Sequence, residues 1–158
     1  QDLRSRALPK EKLAIDMLEQ FVSFFKPMPW QEREDVIERL RIYLESHPEI
    51  IYAYVFGSFL SGMPFQDIDV ALYVNKQKAS AQNPEEEYAE SFSETFKEIF
   101  DVVIINHAPS SLICSIFREG RLLFCKDDLL LSRCIESCSL DMLANEAVSK
   151  ESLREIVE

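Results

Sequence analysis

Asp67 and Asp69 stand one residue apart at the start of an apolar run, DIDVALYV. In an extended chain alternate side chains share a face, so these two carboxylates point the same way from backbones ~6–7 Å apart. Like charges so placed repel, and a divalent cation between them removes the cost. An all-oxygen ligand set favours Mg²⁺, with Mn²⁺ as an alternative. With eight residues in between, Gly57-Ser58 ends an earlier apolar run, IIYAYVF. Glycine lets the backbone come close to a ligand, Ser58 adds a hydroxyl donor, and the turn Phe59–Gly62 can offer amides to a phosphate. Asp101 opens a third run, DVVII. Three carboxylates gathered at one sheet edge would hold two metal ions roughly 3.5–4 Å apart. That layout suits in-line displacement at the α-phosphorus of a nucleoside triphosphate, driven by positioning and charge neutralisation. A lone Gly-Ser or a lone pair of aspartates says little, whereas the ordered set is specific.

Positioning these residues requires a sheet. Ile50–Phe56, Asp67–Val74, Asp101–Ile105 and Arg121–Cys125 read as strands, the first buried on both faces. The short link Phe59–Gln66 predicts an antiparallel return. The longer connection from Asp69 to Asp101 holds a helix capped by Asn83-Pro84, with Tyr88, Phe92, Phe96 and Ile99 on its core face, and predicts a parallel crossover. Glu90, Glu94 and Glu98 lie off that face and read as solvated charge. Other helices are expected at Lys12–Lys26 (stripe Ala14, Met17, Leu18, Phe21, Phe25), at Gln31–Ser46 (Val36, Ile37, Leu40, Leu44) and at Ser110–Glu119, stopped by Gly120 in a left-handed cap. Asp127–Glu158 is mostly helical, with Leu131, Cys134, Ile135, Cys138 and Met142 on its apolar face. The fold class is α/β (α+β): a mixed sheet of about four strands flanked by helices. The expected organisation is an N-terminal helical extension at residues 1–29, a core at 30–126 and a C-terminal helical segment at 127–158.

Composition narrows the partners. The 158 residues carry a formal charge of −11, so direct nucleic-acid binding is disfavoured and a basic protein surface or cationic small molecule is the natural partner. No apolar run reaches the roughly 18–20 residues that span a bilayer, and no signal-peptide pattern is present. Cys114, Cys125, Cys134 and Cys138 lack metal-ligand spacing and read as reduced thiols of a cytoplasmic protein.

Val55–Val74, VFGSFLSGMPFQDIDVALYV, resembles the GS…DxD hallmark of the DNA polymerase beta-like nucleotidyltransferase superfamily, in its minimal branch. Phe100–Phe124 resembles that branch's third-aspartate strand and the segment after it. The likeness runs from Ile50 to about Lys126. It implies metal binding and catalysis by Asp67, Asp69 and Asp101, and nucleotide binding by Gly57 and Ser58. Many members of the branch are antitoxins paired with HEPN-domain ribonucleases, and some add AMP to a tyrosine of the toxin. The resemblance therefore implies Mg²⁺-dependent transfer of AMP from ATP to a hydroxyl of a HEPN-type toxin. Two other outcomes stay open: transfer to a small molecule of the aminoglycoside kind, and neutralisation of a toxin by binding alone.

The chain also departs from the pattern. Its spacer before the DxD is shorter than usual, and Ser61 stands where an arginine is common, leaving the triphosphate's basic partner open. Arg118 and Arg121 are candidates, with surface roles the commoner reading. No acidic residue follows Asp101 on its strand, and His107 and His47 read as a loop and a helix-end histidine.

Overall fold

Four strands form one mixed sheet: β1 (Ile50–Phe56), β2 (Ile68–Val74), β3 (Phe100–Ile104) and β4 (Arg121–Cys125), in the order β3-β2-β1-β4. A computed structural model describes residues 9–76 and 82–157; residues 1–8 of the expected N-terminal extension and 77–81 of the expected polar loop lie outside it. β1 pairs antiparallel with β2 and with β4, while β2 and β3 run parallel. The short 59–66 link and the helical crossover thus produce the two strand senses that their lengths predict.

Among the described residues there are five α-helices, α1 (Pro9–Ser23), α2 (Trp30–Glu45), α3 (Pro84–Phe96), α4 (Ser110–Glu119) and α5 (Asp128–Val157), of which α2 to α5 pack on the sheet. Strand alternation divides the packing into two layers. Ala53, Val55, Val70, Leu72, Val102 and Ile104 face Ile37, Leu40 and Leu44 of α2 and Phe92 of α3. Fully burying a side chain such as Phe92 contributes roughly 1.5–3 kcal/mol. The opposite face carries Tyr52, Tyr54 and Ala71 and is covered by Ile116 of α4 and Leu131 of α5. Tyr52 stacks on Tyr73 with centroids 5.1 Å apart. Its hydroxyl is buried, and burial first, then the neighbouring Cys134 thiol, pushes its pKa up.

The expected apolar stripes differ in fate. α2 buries its stripe, whereas α1 buries nothing against the rest of the chain. Beyond Cys138, the α5 side chains through Ile156 are exposed. Ile99, expected on the α3 core face, is 64% exposed. The helix stops at Phe96, where Lys97 takes a left-handed C-cap (φ 59), so Ile99 falls outside its periodicity. Gly120 ends α4, but in extended backbone (φ −77, ψ 168) rather than the expected left-handed cap. Its requirement is space: a Cβ there would lie 2.5 Å from the Ile116 carbonyl oxygen and 3.2 Å from that of Val55.

The cysteines also depart in part from expectation. Cys125 and Cys134 are free. Cys114 on α4 and Cys138 on α5 form a disulfide, their Cα atoms 5.7 Å apart where the two helices cross. Among the described residues no helix is long and apolar enough to cross a membrane.

Candidate functional site

The parallel register of β2 and β3 sets Asp69 directly beside Asp101. Both alternate onto the sheet face that carries Ala71. Asp67 sits in the bend just before β2, one position earlier than a strand beginning at residue 67 would place it. The three carboxylates nonetheless converge: each offers an oxygen, and these oxygens all lie within 4.8 Å of one another. No lysine or arginine among the described residues forms an ion pair with any of them. The electrostatic consequence falls on Asp69, the middle member. Burial first, then the charges of Asp67 and Asp101, push its pKa up to about 6. Three acids with no cation of their own fit a divalent metal site in charge and in ligand type.

Gly57 completes the same edge from β1. Phe56, the last residue of that strand, pairs with Asp69. At Gly57 the chain turns with φ +77 into a short 3-10 turn, Gly57–Leu60. A Cβ here would lie 2.1 Å from Asp69 Oδ2 and 2.9 Å from its Cγ. Glycine is therefore required twice, by backbone angle and by the carboxylate packed against it. Ser58 is exposed on the turn, and its carbonyl accepts from the Ser61 amide (3.0 Å) and hydroxyl (2.7 Å). The structure thus brings together all five residues singled out from the sequence: Gly57, Ser58, Asp67, Asp69 and Asp101.

The other polar candidates lie apart from this cluster. Arg118 is exposed and pairs with its neighbour Glu119. Arg121 reaches Glu34 on α2 at 2.7 Å, and this contact holds the Glu34 carboxyl below its usual range. His107 is exposed, 3.9 Å from Glu85. His47 Nδ1 lies 2.9 Å from the Tyr43 carbonyl oxygen at the end of α2, the helix-end position expected of it.

Two supports of the site were not apparent from the sequence. Arg33, on the first turn of α2, is only 1% exposed. It occupies the next position of the stripe formed by Ile37, Leu40 and Leu44, and that was the available signal: a charge where periodicity asks for an apolar residue. Its guanidinium donates to the carbonyls of Met28, Phe59 and Met63 at 2.7–2.8 Å. The second support is the segment before α2. Lys26 and Phe65 exchange backbone hydrogen bonds, tying that segment to the loop ahead of Asp67. The Lys26 ammonium also pairs with Glu98, whose side chain is only 13% exposed, so Glu98 is not the solvated charge expected of it.

A family model described as polymerase beta, nucleotidyltransferase, matches residues 38–129, more than half of the chain and a span containing all five residues. No curated protein matches the chain significantly by sequence. Among solved structures, a toxin–antitoxin structure named MntA–HepT aligns with TM-score 0.58 at 16% identity, covering 78% of this chain and 99% of that one. A tri-AMPylated Shewanella oneidensis HEPN toxin in complex with MNT antitoxin aligns with TM-score 0.58 at 17% identity, covering 78% and 98%. A toxin–antitoxin structure with AMP-PNP aligns with TM-score 0.59 at 15% identity, covering 77% and 97%. At these identities the likeness is one of fold.

Proposed function

The chain belongs to the polymerase beta nucleotidyltransferase family, and from that premise we propose that it transfers AMP from ATP to a hydroxyl of a partner protein. The partner is a HEPN-type toxin and this chain its antitoxin. The observation that carries the reading is the juxtaposition of Gly57, Asp69 and Asp101. Gly57 leads into an exposed turn whose amides can meet a phosphate, and the two acids beside it supply charge for cations. The names of the fold relatives, which pair an MNT antitoxin with an AMPylated HEPN toxin and include an ATP analogue, support the choice of nucleotide and acceptor. The surplus negative charge of this chain suits a basic partner.

In this reading Asp67, Asp69 and Asp101 would hold two Mg²⁺ ions. Bound there, the ions would neutralise the triphosphate and lower the pKa of the attacking hydroxyl. Asp69, wedged between Gly57 and Asp101, fixes the distance between the carboxylate edge and the turn. Ser58 and the amides of the turn orient the phosphates for displacement at the α-phosphorus, with pyrophosphate leaving in line. Asp101 is the most exposed of the three acids, open to an incoming acceptor, and serves either as the base for its hydroxyl or as a metal anchor.

The test is direct. The purified chain, ATP labelled at the α-phosphate, Mg²⁺ and a HEPN-type toxin should yield AMP-labelled toxin. Asp67→Asn and Asp69→Asn should each reduce that labelling by at least about 1,000-fold, with the circular dichroism spectrum unchanged. Labelling that persists in either variant overturns the site. Labelling of an aminoglycoside instead would replace the acceptor, and a tight complex without labelling would replace catalysis with binding.

A further inference from the structure

Arginine is costly to bury. Removing its charge from water costs several kcal/mol, and that cost is offset only when its donors find acceptors in good geometry. Arg33 meets the condition without a carboxylate: no acidic side chain among the described residues pairs with it. Nε donates to the Met28 carbonyl at 2.8 Å, Nη1 to Phe59 at 2.8 Å and Nη2 to Met63 at 2.7 Å. The planar group lies over the rings of Phe59 (5.4 Å) and Phe65 (5.0 Å), which meet edge to face. Were packing the only demand, an apolar residue of similar volume would serve at least as well at this place in the α2 stripe. A buried fork that gathers carbonyls from two separate segments specifies a conformation.

The gathered carbonyls identify that conformation. Phe59 directly follows Ser58, and Met63 directly follows Gly62, so the fork grips both ends of the turn between Ser58 and the aspartates. Peptide groups are planar and trans, so drawing the Phe59 carbonyl inward turns the Leu60 amide away from the guanidinium. The upper side of the turn (Ser58, Ser61, Gly62) stays exposed. Phe59–Gln66 contains no lysine or arginine, so the cation that organises this loop arrives from another element.

We propose that Arg33 is a positioning residue for nucleotide binding: from beneath, it sets the shape of the Phe59–Met63 turn and thereby the placement of Ser58 and the outward amides. This rests on the reading of that turn as the triphosphate cradle. Removal of the fork should weaken ATP binding while sparing the chemical step, because Asp69 and Asp101 are carried on β2 and β3 and Asp67 directly abuts β2.

The experiment compares Arg33→Lys, which keeps the charge but loses the fork, with Arg33→Met, which loses both, and with Leu44→Ala, a core substitution in the last turn of the same helix. Melting temperatures, Kd for AMP-PNP, and KM for ATP with kcat are measured well below every melting transition. Arg33→Lys and Arg33→Met should raise KM and Kd about tenfold, with kcat within about twofold of the parent. Leu44→Ala should lose melting temperature yet keep the parent KM. If Arg33→Met does not fold, Arg33→Lys carries the test alone. Parent-like KM in the lysine variant overturns the proposal, and so does an equal rise in KM in Leu44→Ala, which would make the effect one of general destabilisation. Failure of the parent chain to bind AMP-PNP removes the phosphate cradle and this inference with it. Parent binding with unaffected Arg33 variants removes the inference alone.

Discussion

Strand register places Asp69 beside Asp101, whereas a side chain from a helix 26 residues before Phe59 holds the residue that follows Ser58. The two halves of the site meet at Gly57, yet they are built by different means. The carboxylate edge follows from local rules: alternation along a strand, a helical crossover and a parallel ladder. The turn has a four-residue 3-10 segment and little regular structure of its own. Its shape is imposed from below by Arg33 and from behind by the backbone exchange between Lys26 and Phe65. A site can therefore have one half that tolerates change anywhere except at its ligands, and another that depends on residues far from any ligand.

The contrast can be broken most severely at the point of contact. Gly57→Ala places a methyl group into the Asp69 carboxylate and asks alanine to adopt φ +77, which costs about 1–2 kcal/mol in backbone alone. We expect transfer to fall by about 100-fold or more with the fold retained, as measured by labelling rate and thermal melting. A rate near that of the parent would mean that the two halves are not mechanically joined there.

A second, intermediate effect isolates the carboxylate half. The pKa of Asp69 in the folded chain, about 6, lies above its ordinary value of 3.8. A carboxyl raised on folding costs stability above the folded value, and the cost is relieved as pH falls through it. In metal-free buffer, Asp69→Asn should melt higher than the parent at pH about 8, and the gap should narrow as pH drops to about 5. Glu34 and Glu38, held low by their arginines, act in the opposite sense but equally in both proteins, so the difference reports Asp69. A gap that does not change with pH would show that charge repulsion is not the origin.

The smallest effect concerns the turn. Lys26→Met removes the exposed partner of Glu98 but leaves the backbone bonds to Phe65 in place. Stability should fall by less than about 1 kcal/mol, and KM for ATP should move less than about twofold. A larger rise in KM would shift the support of the turn from backbone to ion pair.

The same division explains what the sequence disclosed. The carboxylate cluster beside Gly57, the four strands and the relative senses of β1, β2 and β3 could be read because each depends on near neighbours and connection lengths. Arg33 could not, because a charge on a helix is ordinarily placed in water, and two of the three carbonyls that reward its burial come from a turn that meets it only after folding. Gly120 was correctly read as a helix stop for the wrong reason. What excludes a side chain there is the carbonyls of Ile116 and Val55, and the second of these lies on a distant strand. Ile99 was misplaced because a lysine, rather than glycine or asparagine, adopts the left-handed cap at residue 97. The stripes of α1 and α5 were legible as stripes, but periodicity does not say whether the chain itself covers them.

One consequence follows from where the third acid resides. β3 is an outermost strand, bonded to β2 along one side only. Mutual repulsion of the three anions thus pushes against the rim of the sheet, where fraying is easiest. A counter-charge that settles among them also rivets that rim, so assembling the reaction centre and stiffening this margin of the molecule become a single event.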